Sequence, residues 1–271
     1  MKDVVDITST STSGSLLLKM RITKELGFDF SPASVIMDFG CGSGSRVHEL
    51  RQLGYQAFGC DLKFKNDKKI DTGSMERKGI VRLIDKEHYA LPFKDNAFDL
   101  VFSDQVFEHV QDYPRAVSEL ARVLKPDGMC LHIFPSRYTP IEPHVYVPLA
   151  SIIQSYWWLY CWALIGIRNE EQRGATASET AKENFNYLKN NTNYLSRKAI
   201  SAQFSSHFHN VVFCENTFLK YSRKGKYLWA LSRLLPFLPS IYSTFRGRVV
   251  LAKQPIKPRP NAASRSAAIK A

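Results

Sequence analysis

The run Val35-Ile36-Met37-Asp38-Phe39-Gly40-Cys41-Gly42-Ser43-Gly44 is the part of this sequence that most clearly carries chemistry. Glycines at the end of a short apolar run let the backbone turn sharply and approach a ligand closely. A dinucleotide site favours GxGxxG, whose third glycine would fall at Ser45. Here the pattern is GxGxG, with Asp38 two residues ahead of the first glycine. Asp61 closes the next apolar run, 21 residues after Gly40. A carboxylate at that place can accept both hydroxyls of a ribose. A glycine loop alone is weak evidence, since a tight turn needs no more. Strand, loop, helix, strand and acid in that order make a much stronger nucleoside-site signal.

Regular elements must position these residues, and hydrophobic periodicity predicts them. Residues 15–26 read as a helix with Leu16, Leu17, Met20 and Leu26 near one face and Gly27 as its stop. Strands are expected at 34–39, 56–60, 80–84, 98–102 and 129–134, with helices at 46–53 and 116–124. The second of these helices is stopped by Lys125-Pro126-Asp127-Gly128, and the helix content of the polar stretch 63–78 is left open. Strands separated by helices imply a parallel sheet with right-handed crossovers and helices on both faces. Ligands of such sheets lie beyond the carboxyl ends of the strands. Further on, 176–188 and 197–204 read as helices, the latter with Ser196 as N-cap, and 210–214 and 248–252 as strands.

Composition sets the outer bounds. Of 271 residues, 44% are hydrophobic and 23% charged, which excludes a wholly disordered chain, a collagen-like repeat and a disulfide miniprotein. The net charge of +12 is unevenly placed: 19 basic against 20 acidic residues in 1–150, then 18 against 5 in 151–271. From Asn216 onward there are 12 basic residues and no acid. The five scattered cysteines form no CxxC pair, so neither a zinc knuckle nor a disulfide framework is indicated, and reduced thiols in a cytoplasmic protein are expected. Residues 1–14 read as a flexible polar leader without signal-peptide character, and 254–271 as a disordered basic tail. The 23 uncharged residues 145–167 are long enough to span a bilayer. Pro148, Gln154 and the mid-segment Trp and Tyr residues argue instead for a lid helix or membrane-surface contact.

Three blocks resemble the class I S-adenosylmethionine (SAM)-dependent methyltransferases, closest to the branch typified by ubiquinone/menaquinone C-methyltransferases and many small-molecule methyltransferases. They are Asp38 to Gly44 with Asp61; Leu91-Pro92-Phe93-Lys94-Asp95-Asn96-Ala97-Phe98-Asp99; and Phe107-Glu108-His109-Val110 followed by Leu124-Lys125-Pro126-Asp127-Gly128. The resemblance covers roughly 34–135 and implies an α/β fold: a doubly wound, Rossmann-like, mostly parallel sheet of seven strands with helical insertions in the C-terminal half. It implies a methyltransferase domain over 15–253, with a cofactor-binding core at 15–135 and acceptor or lid insertions at 136–207 and 216–246. It also implies SAM as cofactor. Asp38, Phe39, Gly40, Cys41, Gly42 and Gly44 would hold its methionine portion, and Asp61 with Leu62 its ribose. Ser103 and Asp104 would lie beside the sulfonium and amino group. For the adenine amine, Glu87 has the family's spacing and Asp85 its residue type.

Methyl transfer from a sulfonium mainly requires positioning and water exclusion. A general base is needed only if the acceptor must lose a proton. His109 and His144 follow the fourth and fifth strands and are the candidates; His132, inside a strand, reads as packed, and His207 and His209 as structural or exposed. Asp104 and Glu108, at a strand-to-helix junction, equally suit helix caps. The Glu142/His144 spacing offers a metal pair without a third ligand, so no metal is expected. The basic, aromatic stretch 218–253 fits a lid, an anionic membrane surface, or RNA, the last without a recognition signature. The expected acceptor is a small or lipid-like molecule. RNA methylation and non-catalytic SAM binding are the alternatives, and the methylated atom and oligomeric state stay open.

Overall fold

Near-continuous apolar runs make strands that bury both faces, and the central sheet consists of them. The computed structural model describes residues 12–257. Residues 1–11 of the expected leader and 258–271 of the expected tail lie outside the described residues. The strands are β1 (Val35–Phe39), β2 (Gln56–Asp61), β3 (Val81–Leu83), β4 (Phe98–Asp104), β5 (Leu124–Pro135), β6 (Phe208–Phe213) and β7 (Gly247–Pro255). Their order is β3-β2-β1-β4-β5-β7-β6. The first five pair in parallel, while β7 runs antiparallel to both its neighbours.

Successive strand residues point into two different interiors. Met37, Phe39, Val101, Cys130 and Val250 face α4 (Tyr113–Val123) and α7 (Arg197–Ser205). Ile36, Leu100, Phe102, Leu131 and Leu251 face the opposite layer. That layer holds α1 (Gly14–Glu25), α2 (Ser45–Gln52), α3 (Thr72–Arg77) and α8 (Glu215–Tyr221). The helix α7 is capped by Ser196, whose side chain accepts the Ala199 N–H, as expected.

Three expectations change. The segment 125–128 does not only stop a helix; it bulges from β5, since Phe98 pairs with Leu124 and Leu100 with Met129. A side chain at Gly128 would meet the Lys125 carbonyl at 2.9 Å, so glycine is what lets the bulge close. The Lys125 ammonium reaches both Asp99 oxygens at 2.8 Å, and Asp99 accepts the Val35 N–H, which ties the bulge to the start of β1. Second, β7 continues through Pro255, opposite Phe208, so residues 254–255 belong to the sheet and not to a tail. Third, only Tyr156–Leu164 of the uncharged stretch is helical (α5). Nine residues rise about 14 Å against a hydrocarbon core of about 30 Å. Among the described residues no helix is long and apolar enough to cross a membrane. Instead α5 packs on α6 (Ala177–Asn191) around Val147, Leu159, Ala181 and Leu188, forming a small separate core. Two short helices, α9 (Gly225–Ser232) and α10 (Leu238–Phe245), precede β7.

The Leu91–Asp95 block is held by two side chains of α4. Glu119 accepts the Leu91 N–H at 2.7 Å, and Arg122 donates to the Leu91 and Phe93 carbonyls and to Asp95. Burial pushes the Glu119 carboxyl up, but bonds from Arg122 and Leu91 outweigh it and hold it below its ordinary 4.5. Glu119→Gln should cost about 1–3 kcal/mol of stability at neutral pH, read from urea midpoints. A depressed carboxyl stabilises above its unfolded value and loses that contribution as pH falls through the folded one. The gap to wild type should therefore close in strong acid, and a gap independent of pH would refute the assignment.

Candidate active site

Parallel pairing of β1 with β2 sets the glycine loop against the start of the next turn. The Gly40 and Cys41 N–H groups donate to the Cys60 carbonyl at 2.8 and 3.1 Å. Asp61 accepts the Gly42 N–H at 2.8 Å through one oxygen and the Lys63 N–H at 3.3 Å through the other. Carboxylate oxygens have further lone pairs, so Asp61 braces the loop while keeping acceptor capacity. Gly40 and Gly42 adopt left-handed φ values of 75° and 58°. A Cβ at Gly40 would lie 2.2 Å from a Val106 methyl, so any side chain there forces Val106 to shift. At Gly42 it would meet only the flexible Lys65 stem, in ordinary van der Waals contact at 3.6 Å, so a ligand reaches this backbone only if that stem swings aside. Phe39 and Cys41 bury their side chains and can offer a ligand only backbone, whereas Leu62 is exposed beside Asp61. Burial pushes the Cys41 thiol far above its ordinary range.

Asp38 and Asp104 point to the same layer from adjacent strands, and two cations the sequence reading missed meet them there. Arg46 of α2 donates to Asp38 at 3.3 Å and to Asp104 at 3.2 Å. Lys19 of α1, itself 1% exposed, reaches Asp104 at 2.8 Å. Ser15, Lys19 and Arg46 all bind Asp104 through the same oxygen, Oδ2. Burial pushes the Asp38 carboxyl up to about 6. Burial also raises Asp104, but Lys19 and Arg46 outweigh it and hold that carboxyl below its usual range. The available signal for Lys19 was its place between Leu16 and Met20, on the apolar side of the helix.

Ser103 is not brought to this site. The two-residue strand period sends it to the other face, where it is fully buried and shares a 2.7 Å hydrogen bond with His132. His132 is packed as expected, its imidazole pushed down to about 3 by burial. At the adenine end, Asp85 is engaged with its own turn, accepting the Glu87 and His88 N–H groups and meeting the His88 ring at 2.9 Å. Glu87 is exposed. Tyr89, which carried no sequence signal, is half-buried with its hydroxyl in electrostatic reach of Asp61.

A second cluster forms where the core meets the insertion. The turn Phe107–His109 places Glu108 and His109 opposite His144, and the two imidazole centroids are 4.8 Å apart. His109 Nδ1 bonds the Asn191 carbonyl and His144 Nδ1 bonds Glu142, both at 2.7 Å. Glu142 also accepts from Tyr194 and from the His144 and Val145 N–H groups. Glu108 caps no helix: it is 1% exposed, and neither carboxylate oxygen has a hydrogen-bond partner among the described residues. Burial pushes its carboxyl up to about 7. Burial pushes the His109 imidazole down, and the neighbouring His144 adds to this. Beside His144 lies a cavity of about 600 Å³ lined also by Tyr187, Glu170, Glu171 and Glu183.

A glycine loop after the first strand, a braced acid after the second and convergent polar groups at the strand ends define a nucleoside-binding, doubly wound α/β domain. Residues 37–132 match the family described as a methyltransferase domain. The chain is 32% identical over 114 residues to glycine/sarcosine/dimethylglycine N-methyltransferase of Actinopolyspora halophila, covering 40% of this chain and 20% of that protein. It is 26% identical over 159 residues to demethylmenaquinone methyltransferase of Corynebacterium kroppenstedtii, covering 55% of this chain and 67% of that protein. Among solved structures it is similar to Haemonchus contortus phosphoethanolamine N-methyltransferase 2 in complex with phosphomonomethylethanolamine and S-adenosylhomocysteine. That likeness has a TM-score of 0.47 and 16% identity, over 89% of this chain and 52% of that one.

Gly40→Ala should cost about 1–3 kcal/mol, because the added methyl overpacks against Val106 at a left-handed position. Gly42→Ala, whose methyl would meet only the flexible Lys65 stem at 3.6 Å, should cost less. Adding Val106→Ala to the Gly40→Ala chain should recover part of the loss. Strict additivity in that double-mutant cycle, measured by denaturation, would count against the contact.

Proposed function

We propose that this chain is a SAM-dependent methyltransferase acting on a small-molecule or lipid-like acceptor. The observation that carries the reading is the braced glycine loop lying within the segment that matches a methyltransferase domain. The residues present suit the cofactor. Only a flexible lysine stem covers the Gly42 backbone, Asp61 retains lone pairs for ribose hydroxyls, and Asp104 is a carboxylate at the neighbouring strand end suited to an ammonium. When bound, SAM supplies a methyl carbon on a sulfonium whose bonding electrons leave with sulfur. The chain then has to place the acceptor and exclude water. His144 and His109 are the acceptor-orienting groups of this reading: His144 lines the cavity against α6, and the His109 ring lies 4.8 Å from the His144 ring. Three carboxylates line that cavity, which disfavours a phosphodiester chain and supports a small acceptor over RNA. Relatives named for glycine and for demethylmenaquinone point the same way. The five cysteines are free thiols, four of them buried, which suits the reducing cytoplasm.

A second reading concerns location. Trp157, Tyr227, Leu234 and Phe237 are each more than half exposed, and Arg223, Lys224, Lys226 and Arg233 accompany the last three. Apolar side chains among cations suit shallow attachment to an anionic membrane.

Calorimetric titration should show saturable binding of SAM and none of NAD. Gly42→Arg should fold, by circular dichroism, yet bind no SAM; retained affinity in that folded variant would overturn the loop assignment. For the second reading, the protein should sediment with phosphatidylserine-containing vesicles at low salt and be released by added salt. Leu234→Asp, at an exposed position, should weaken that binding, and indifference to anionic vesicles would remove the membrane reading.

A further inference from the structure

We propose that Glu108, His109 and His144 form a site for a divalent transition-metal ion where the core domain meets the helical insertion. One ligating atom from each of the three lies within 4.8 Å of the others. Ion-to-ligand distances of about 2.0–2.2 Å place donors about 3.5 Å apart, so side-chain adjustments of roughly an ångström close the set.

The hydrogen bonds prepare the donors for an ion. A backbone carbonyl only accepts, so the His109 Nδ1 facing Asn191 carries the proton and Nε2 presents its lone pair. The His144 Nδ1 faces the Glu142 carboxylate, which already accepts from Tyr194 and two backbone N–H groups, so His144 is set in the same tautomer. An imidazole whose far nitrogen donates to a carboxylate or carbonyl is the usual outer-sphere arrangement of metal-binding histidines. Glu108 supplies the independent observation. Buried carboxylates normally have partners, yet both of its oxygens are unpartnered, and the two imidazoles are its neighbours.

The spacing of Glu142 and His144 gave no third ligand in the sequence. Folding supplies Glu108 and His109 and moves Glu142 to the outer position. Two imidazoles and one carboxylate suit zinc or a neighbouring first-row ion rather than magnesium or calcium. Three protein ligands leave an open coordination position, and His144 also lines the 600 Å³ cavity. The ligand class for that position is an acceptor with an ionisable oxygen. That extension rests on the methyltransferase reading, whereas the metal site does not.

The test uses the purified full chain, stripped with a chelator and titrated with Co²⁺, followed by visible absorption, and with Zn²⁺, followed by calorimetry. One equivalent should bind. His109→Ala and His144→Ala should each weaken binding at least about 100-fold, and Glu142→Gln about 10–100-fold. Glu108→Gln, which keeps the shape, serves if a histidine variant fails to fold, and it should also weaken binding. A His207→Ala/His209→Ala chain should bind as wild type does. Absent binding, or binding untouched by the His109, His144 and Glu108 variants, would overturn the site. SAM affinity is read separately: zinc failing while SAM binds overturns only the metal, and SAM failing while zinc binds overturns only the methyltransferase reading.

Discussion

Two carboxylates on neighbouring strand ends impose the main constraint on this molecule. Asp38 is fully buried and Asp104 mostly so, and both face the same helical layer. Leaving such charges unpaired costs about 3–5 kcal/mol per broken pair, so cations have to be delivered to them from that layer. Lys19 comes from α1 and Arg46 from α2, and Arg46 touches both acids. The consequence is architectural. The first helix must lie across the strand ends to bring Lys19 to Asp104, and α2 must leave the glycine loop at the angle that carries Arg46 back. The loop is thereby fixed from two directions, by charge on one side and by the Asp61–Gly42 hydrogen bond on the other.

Much of the fold was legible because its signals are local. Apolar runs, terminating glycines and Ser196 as a cap depend on neighbours in the chain, and the strands at 35–39, 56–61, 208–213 and 247–255 lie close to where the pattern puts them. The errors arise where a residue's role is set by its face or by a distant partner. Ser103 and Asp104 were grouped because they are consecutive, yet strand alternation separates them into different layers. Lys19 and Arg46 carried no motif, since their partners lie 85 and 58 residues away for Asp104. The bulge at 125–128 reads in sequence as a turn, because its glycine serves a tight backbone approach in either case.

The second cluster was legible in parts but not as a whole. His109 and His144 are visible as titratable residues after strands, while Glu108 reads equally well as a cap. Only the insertion makes them one site. After α6 the chain returns along the turn 107–110: the Asn193 N–H donates to the Glu108 carbonyl at 2.7 Å, and its side-chain amide donates to the Val110 carbonyl. His109 bonds Asn191 and Tyr194 bonds Glu142 in the same stretch. Four contacts from 191–194 thus orient both histidines.

This stitching bears on where specificity resides. The glycine loop and the histidine cluster are neighbours across Lys65, whose stem lies against Gly42 and whose charge is in electrostatic reach of His109. One side of that junction lies in the segment matching a methyltransferase domain, and the other is completed by residues beyond it. A change in the α5–α6 insertion can therefore reshape the cavity beside His144 while the loop, Asp61 and the Asp38–Arg46–Asp104 bridge remain as they are. In the proposed reading the fold thus separates the cofactor loop from the part that would select an acceptor, with the pair of imidazoles between them.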